Sequence, residues 1–318
     1  MYNAQEVAAA GECLRTARKV SIVSHQRPDG DAVGSALGLA LALKAAGKQV
    51  VVALADGVPT TFRHLAGADE VVSQGDPSAD CRVFVDCGDV GRGGSAWQAD
   101  WPVDVNIDHH KTNTRFAAVN IVAPHAVATA AMLAELLPAW GFPLPVEAAS
   151  ALLTGILTDT IGFRTSNVTA DALRLAADLV DRGAPLSELY FKALVERSFE
   201  ALRYWGQGLS RIQREGGLVW TSLTLEDRRI SGYHSNDDAD LVGYLVSVRD
   251  AAIGVIFVEQ PDGTVKVSWR ARSGWDVSDL AVRFGGGGHV PAAGATVPGS
   301  LDDVQRKVLA ATRALLNA

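Results

Sequence analysis

Three short apolar runs in the N-terminal half each end in residues able to bind metal. His25, Asp29 and Asp31 follow residues 20–24 (VSIVS), Asp86 follows 82–85 (RVFV), and Asp108, His109 and His110 follow 103–107 (VDVNI). Asp159 stands two residues beyond a fourth apolar stretch, 151–157 (ALLTGIL). Carboxylates with one or two imidazoles suit Mn²⁺ or Mg²⁺ better than a thiolate-selecting metal. Six such ligands converging would hold two ions, enough for hydrolysis assisted by a metal pair. Each group also has an ordinary structural reading. Asp29 and Asp31 suit a turn and a helix cap, Asp86 a turn, and the histidines a loop cluster. A carboxylate ending a buried helix at Asp159 needs a partner for its charge, and a metal supplies one. Accepting all the ordinary readings requires four unrelated coincidences.

The elements around these residues explain why they should meet. The first three runs are short, largely apolar and bounded by polar residues, as buried strands of a parallel sheet are. Residues 32–46 (AVGSALGLALALKAA) form an Ala- and Gly-rich helix ending at Gly47, apolar on nearly every face, and 49–54 reads as the next strand. Helices are expected near 127–137 and 146–158. This alternation predicts an α/β fold, a mostly parallel sheet flanked by helices, with ligands collected beyond the carboxyl ends of the strands.

From residue 170 to about 214 the pattern turns helical, and Leu202, Trp205, Leu209 and Ile212 step along one apolar stripe. Strands follow at 218–225, 252–259 and 265–271, with Pro261-Asp262-Gly263 as hairpin chemistry. Helices near 238–248, 277–283 and 301–316 complete a smaller α+β domain with a mixed sheet. The expected organisation is a catalytic domain over 1–185, a helical connector over 186–214 and a second domain over 215–318.

In the second domain Gly285 to Gly288 precede His289. Such a run lets backbone N–H groups approach an anion, and Arg270 and His289 would add side-chain donors. Gly286, Gly287, Gly288, His289 and Arg270 are therefore the expected substrate-binding residues, although a glycine run also suits a simple loop. Arg272 is expected on the same strand face as Arg270. Trp269 and Trp275 suit a core or domain interface better than base stacking.

Composition narrows the partners. The chain has 318 residues, 48% of them hydrophobic and 20% charged, with a formal charge of −7. That charge argues against coating long nucleic acid, but not against a short anionic substrate held by metals and a few arginines. Cys13, Cys81 and Cys87 are odd in number and lack close pair spacing, so reduced cysteines and no structural zinc are expected. Residues 1–20 carry Glu6, Glu12, Arg15 and Lys19 and have no signal-like apolar run. No run approaches the roughly 20 apolar residues of a membrane span. A cytoplasmic location is expected, and a homodimer only as the common habit of soluble enzymes.

The segments SHQRPDGD, VDCGD, IDHHKTN and TGILTDT resemble the four motifs of the DHH phosphoesterases. Residues 268–294, SWRAR through FGGGGHVPAAG, resemble the DHH-associated C-terminal domain. Length and domain order are most similar to the NrnA-like group of oligoribonucleases, or nanoRNases, that also dephosphorylate 3′-phosphoadenosine 5′-phosphate (pAp). The resemblance implies that His25, Asp29 and Asp86 hold one Mn²⁺, and that Asp31, Asp86, His109 and Asp159 hold the other, with Asp86 bridging. It implies His110 as the catalytic group facing the scissile phosphate, with Asp108 orienting the histidines. Expected substrates are short RNA or DNA oligonucleotides, linear dinucleotides such as pApA or pGpG, and pAp. One domain would cut while the other grips the terminal nucleotide. Val290, Arg272, His125 and the stretch 111–116 depart from common family patterns and bear on substrate preference.

Four other readings share parts of this pattern. A cyclic di-AMP phosphodiesterase uses a similar site. An inorganic pyrophosphatase would need a basic Ser-Arg-Lys-Lys-Gln segment that is missing here, and a non-catalytic nucleotide sensor would not need the full ligand set. RecJ-type exonucleases carry further domains that this length cannot accommodate.

Overall fold

The computed structural model describes residues 2–98 and 100–317. The chain divides into two units, Met1–Glu196 and Arg197–Ala318, so the boundary falls inside the segment 186–214.

In the first unit the chain runs α1 (Ala4–Thr16), β1 (Lys19–Val23), α2 (Gly30–Ala45), β2 (Gln49–Ala53), β3 (Cys81–Val85), β4 (Val105–Asp108), β5 (Val119–Val122), α3 (Thr129–Ala139), α4 (Val146–Asp159), α5 (Ala170–Asp181) and α6 (Leu186–Tyr190). The five strands form one parallel sheet in the order β2-β1-β3-β4-β5. The fold is thus the α/β architecture expected from the strand–helix alternation. The strands bearing His25, Asp86 and Asp108 at their carboxyl ends are the adjacent β1, β3 and β4, so parallel pairing alone brings those ends to one rim.

Helix α2 is buried along nearly its whole length, which explains why it is apolar all round. It crosses α4 closely. A Cβ at Gly34 would lie 2.5 Å from the Ala151 carbonyl oxygen, and one at Gly38 would lie 2.5 Å from Leu152 Cδ2. Glycine is required at this crossing for approach rather than for flexibility. The close packing sets α2, which carries Asp31, against α4, which ends in Asp159.

Two expectations for this half need correction. Cys13 in α1 and Cys81 at the start of β3 are joined by a disulfide, with Cα atoms 6.1 Å apart, and Cys87 is the free, buried thiol. Their separation of 68 residues hid a pairing made by α1 packing beside the sheet. The sheet also has a fifth strand, β5, where four were expected.

The second unit contains α7 (Phe199–Ser210), β6 (Gln213–Glu215), β7 (Leu218–Leu223), α8 (Leu225–Ser231), α9 (Val242–Leu245), β8 (Ile253–Glu259), β9 (Thr264–Ala271), α10 (Ser278–Arg283), β10 (Gly287–His289), β11 (Ala292–Pro298) and α11 (Leu301–Leu316). Its mixed sheet runs β10-β11-β9-β8-β7-β6, with β7 and β8 parallel and the other neighbours antiparallel. Strand β8 is buried on both faces. Ile253, Val255 and Phe257 pack with Leu280 of α10 and Val304 and Val308 of α11, while Ile256 and Val258 pack with Tyr204 of α7 and Val242 of α9. The helical stretch ends one strand earlier than expected, because Gly216 (φ 55°) turns β6 into β7 as a hairpin. The expected stripe on α7 is not its buried face. Ala201, Tyr204 and Gly208 are buried, whereas Leu202 and Leu209 are exposed. Small residues let α7 lie close: a Cβ at Gly208 would meet Leu241 at 2.9 Å and Leu223 at 3.1 Å. Among the described residues no helix is long and apolar enough to cross a membrane.

Candidate metal centre

The chain leaves β1 through Ser24 and His25 and enters α2 at Asp29. Asp29 is the N-cap of α2, its Oδ1 accepting from the N–H groups of Asp31 and Ala32 at 3.1 Å each. The capping reading of this residue is therefore correct, and it leaves Oδ2 free of these bonds. His25 is buried, and its Nδ1 lies 2.9 Å from its neighbour's carbonyl, Gln26 O. That contact places the proton on Nδ1 and presents Nε2 as a ligand atom. Nε2 lies 3.6 Å from Asp86 Oδ2 and 3.9 Å from Asp29 Oδ1.

Asp86 follows β3 directly with φ 53°, a left-handed conformation that Asp tolerates better than most residues. Its N–H donates to Ile107 O at 2.9 Å, which ties it to β4. The turn aims the carboxylate into the site, where it is buried. His109 repeats the His25 arrangement. Its Nδ1 is 3.3 Å from Ala126 O, and its Nε2 is 3.6 Å from Asp86 Oδ1, 3.5 Å from Asp159 Oδ2 and 3.9 Å from Asp31 Oδ2.

The residues thus gather into donor sets whose ligand atoms lie within 4.8 Å of one another. One set is His25, Asp29 and Asp86; another is Asp31, His109 and Asp159; a third is Asp86, His109 and His110. In the third set His110 contributes Nδ1, already engaged with Asp108 Oδ1 at 2.7 Å. That bond fixes the orientation of the His110 ring, whose Nδ1 also lies 3.7 Å from Asp86 Oδ1.

Electrostatics show what the cluster lacks. Burial, together with the charges of Asp86, Asp159 and Asp29, raises the Asp31 pKa well above the carboxylate range. Burial pushes Asp159 up to about 6, with Asp86 adding to the rise and His109 opposing it. For Asp86 burial works the same way, but His25, His109 and His110 outweigh it and hold the carboxyl ionised. His25 is raised by the facing Asp86 although burial opposes it. Buried carboxylates this close repel one another unless positive charge lies between them. The separations of 3.5 to 3.9 Å exceed good hydrogen bonds. Such a donor set fits divalent cations bound among these atoms.

Residues outside the expected list complete the site. Asp108 is buried and accepts from Asn113 Nδ2 at 2.6 Å, besides its contact with His110. Asn113 Nδ2 also lies 2.7 Å from Asn106 Oδ1. Asp31 accepts from the N–H groups of Thr129 (2.6 Å) and Ala130 (2.9 Å) and from the Ser35 hydroxyl (3.1 Å). Thr129 Oγ1 donates to Asp86 Oδ1 at 3.0 Å. Nothing in the local pattern around Thr129 announces this, and Asn113 carries no signal beyond its place after the two histidines.

In the second unit the glycine run is not a free loop. Gly287 to His289 form β10, paired with β11. Gly286 and Gly288 are required for backbone approach, since a Cβ would lie 2.1 Å from Gly294 O and 2.5 Å from Ala292 O respectively. Gly287 has open space on its side. Position 289 lies opposite Ala292, which is itself opposite Arg270 on β9. The side chain of His289 lies outside the described residues. Arg272 is not on the strand face with Arg270 as expected: one residue beyond the end of β9, it donates to Val246 O and Val248 O and braces the turn after α9. Trp269 is fully buried, its Nε1 donating to Thr312 Oγ1 at 3.3 Å, and Trp275 packs against the same core.

Residues 19–156 match the DHH family N-terminal domain, and residues 228–317 match the DHHA1 domain. The chain belongs to the DHH family. It is therefore a phosphoester hydrolase in class. It is 39% identical over 301 residues to the bifunctional oligoribonuclease and PAP phosphatase NrnA of Thermus thermophilus, covering 92% of this chain and 89% of that one. The same DHH architecture is found in the crystal structure of an exopolyphosphatase-related protein from Bacteroides fragilis, with TM-score 0.92, 24% identity and coverage of 100% and 99%. RecJ from Thermus thermophilus, crystallised in complex with Mn²⁺, is more distant, with TM-score 0.54 and 14% identity over 98% of this chain and 54% of that one.

Proposed function

We propose that this DHH protein degrades short RNA oligonucleotides and linear dinucleotides to mononucleotides, and removes the 3′-phosphate of pAp, using two Mn²⁺ ions at the rim of the first unit. The observation that carries the reading is the sharing of Asp86, whose Oδ2 faces His25 and whose Oδ1 faces His109. A carboxylate placed in this way suits a bridge between two cations. The similarity to a protein named as both oligoribonuclease and PAP phosphatase supports the substrate class. The Mn²⁺ in RecJ supports the choice of metal.

In this reading His25, Asp29 and Asp86 hold one ion, while Asp31, Asp86, His109 and Asp159 hold the other. Bound there, the ions would polarise the phosphoryl oxygens and activate water for in-line attack. The chain's own residues do the rest. The Asp108 carboxylate raises the His110 pKa to about 9 with no cation bound, which favours the doubly protonated ring. The proton on Nε2 can stabilise the phosphoryl charge or pass to the leaving oxygen. Diester and monoester both lose a ribose oxygen in this step and differ in whether the attacked phosphorus carries a second ester substituent, so one site can serve both. Arg270, the backbone of Gly286, Gly287 and Gly288, and His289 are assigned to the terminal phosphate of the substrate.

The test is a Mn²⁺-dependent comparison of product release from pAp, a linear dinucleotide, a longer RNA and cyclic di-AMP. Release from the first two should be fastest, and alanine at both His109 and His110 should abolish all of it. Faster opening of the cyclic dinucleotide than trimming of the linear one would replace this reading with that of a cyclic dinucleotide phosphodiesterase. Activity on any substrate surviving in the double variant would refute the shared site.

A further inference from the structure

Thr129 is the first residue of α3, fully buried, and lies 98 residues from Asp31 and 43 from Asp86. It bonds to both, its N–H to Asp31 Oδ2 at 2.6 Å and its hydroxyl to Asp86 Oδ1 at 3.0 Å. The N-cap of α3, Ala128, offers no side-chain acceptor, so the first amides of that helix take Asp31 of α2 instead. Helix α3 is seated there by Gly155 of α4, where a Cβ would lie 2.6 Å from Ala130 Cβ and 2.9 Å from Asp31 Oδ1.

The hydroxyl matters because the two oxygens of Asp86 have different duties. Oδ2 faces His25 and Oδ1 faces His109, each at 3.6 Å. A carboxylate rotates easily about its last bond, and rotation would misalign both oxygens at once. The Thr129 hydroxyl touches one oxygen only and so fixes the plane. Its own backbone is anchored to Asp31, a donor for the His109 side of the cluster.

We propose that Thr129 is a positioning residue that locks Asp86 and Asp31 in one frame, so that the two cation sites fill as a pair rather than singly. This rests on the two-cation reading given above.

Isothermal titration with Mn²⁺ and electron paramagnetic resonance of the loaded protein test it, using Thr129→Val, which keeps the shape and the amide, and Thr129→Ser, which keeps the hydroxyl. The wild-type chain should bind two Mn²⁺ with the exchange-coupled signal of ions sharing a ligand. Thr129→Val should lose about tenfold or more in affinity for one ion and show isolated-ion signals, and Thr129→Ser should restore both. Wild-type affinity and coupling in Thr129→Val would overturn the proposal, as would a Ser variant as impaired as the Val one. If Thr129→Val does not fold, Thr129→Ala against Thr129→Ser repeats the comparison, since these two differ only in the hydroxyl. A wild-type chain that binds the coupled pair but hydrolyses no phosphoester would sink the functional reading and leave the role of Thr129 standing.

Discussion

Asp108 Oδ1 lies 2.7 Å from His110 Nδ1, and the carboxylate that holds this half-buried ring is itself fully buried. The pairing fixes the orientation of a histidine that stands beside His109 and Asp86. Asn113 steadies the other carboxylate oxygen at 2.6 Å. Replacing Asp108 by Asn removes the charge that supports the protonated ring. The expected result is a fall of about 10² to 10⁴ in kcat with little change in KM, the range lost with a general acid or base. Mn²⁺ affinity measured by titration calorimetry should change far less, and an equal collapse of both would mean that Asp108 serves the ligands instead.

Removing divalent ions should be felt in stability as well as in rate. The carboxylates of Asp31 and Asp86, both buried, and of the half-buried Asp159 repel one another, and a bound cation relieves that only in the folded chain. Mn²⁺ at a hundred times its dissociation constant should add about 2.7 kcal/mol, visible as a rise in melting temperature. Asp86→Asn should abolish most of that rise. A melting temperature indifferent to Mn²⁺ and chelator would contradict the metal assignment.

Gly155 tests the packing that seats the site. In an open helix, Ala in place of Gly stabilises by about 1 kcal/mol. Here the new methyl meets Ala130 at 2.6 Å and Asp31 at 2.9 Å, neither able to retreat far in a close-packed core. Overpacking wins, and Gly155→Ala should destabilise the first unit by about 1–3 kcal/mol in chemical denaturation. Unchanged or increased stability would show that α3 and α4 are more loosely joined than their spacing implies.

Asp227 gives a pH-dependent stability that is independent of the metal centre. Burial would raise its pKa, but the two-pronged contact with Arg211 at 2.6 and 2.8 Å and the bond from the Thr224 N–H at 2.7 Å lower it. A folded pKa below the unfolded value of about 3.9 means that the unfolded chain binds the extra proton. The stabilisation is therefore fully present well above the unfolded pKa and is lost progressively as pH falls through the folded pKa. Asp227→Asn should cost about 2–3 kcal/mol at pH 7. Denaturation curves of the two proteins should converge once pH has fallen below the folded pKa of Asp227, and a gap that persists there would rule out the ion pair as its source.

The gathering of His25, Asp29, Asp31, Asp86, His109 and Asp159 was legible because each stands near the end of an apolar run, and a strand or helix end is where a side chain leaves the core. His25, Asp86 and Asp108 could be assigned to one rim from strand alternation alone, since adjacent parallel strands share a carboxyl end. Sequence patterning likewise anticipated the mixed second sheet and placed Arg270 on one of its strands. Thr129, Asn113 and the Cys13–Cys81 bond were not legible. Thr129 and the disulfide depend on how a helix packs across tens of residues, and Asn113 on how the loop after β4 folds back onto that strand; no local period records either. Gly34 and Gly155 are similar cases: single letters in apolar helices that become requirements only when another backbone arrives within contact. The chemistry of the site was written in residue type and position along the chain. Its geometry, the orientation of each imidazole and of the shared carboxylate, came from contacts that exist only once the chain is folded.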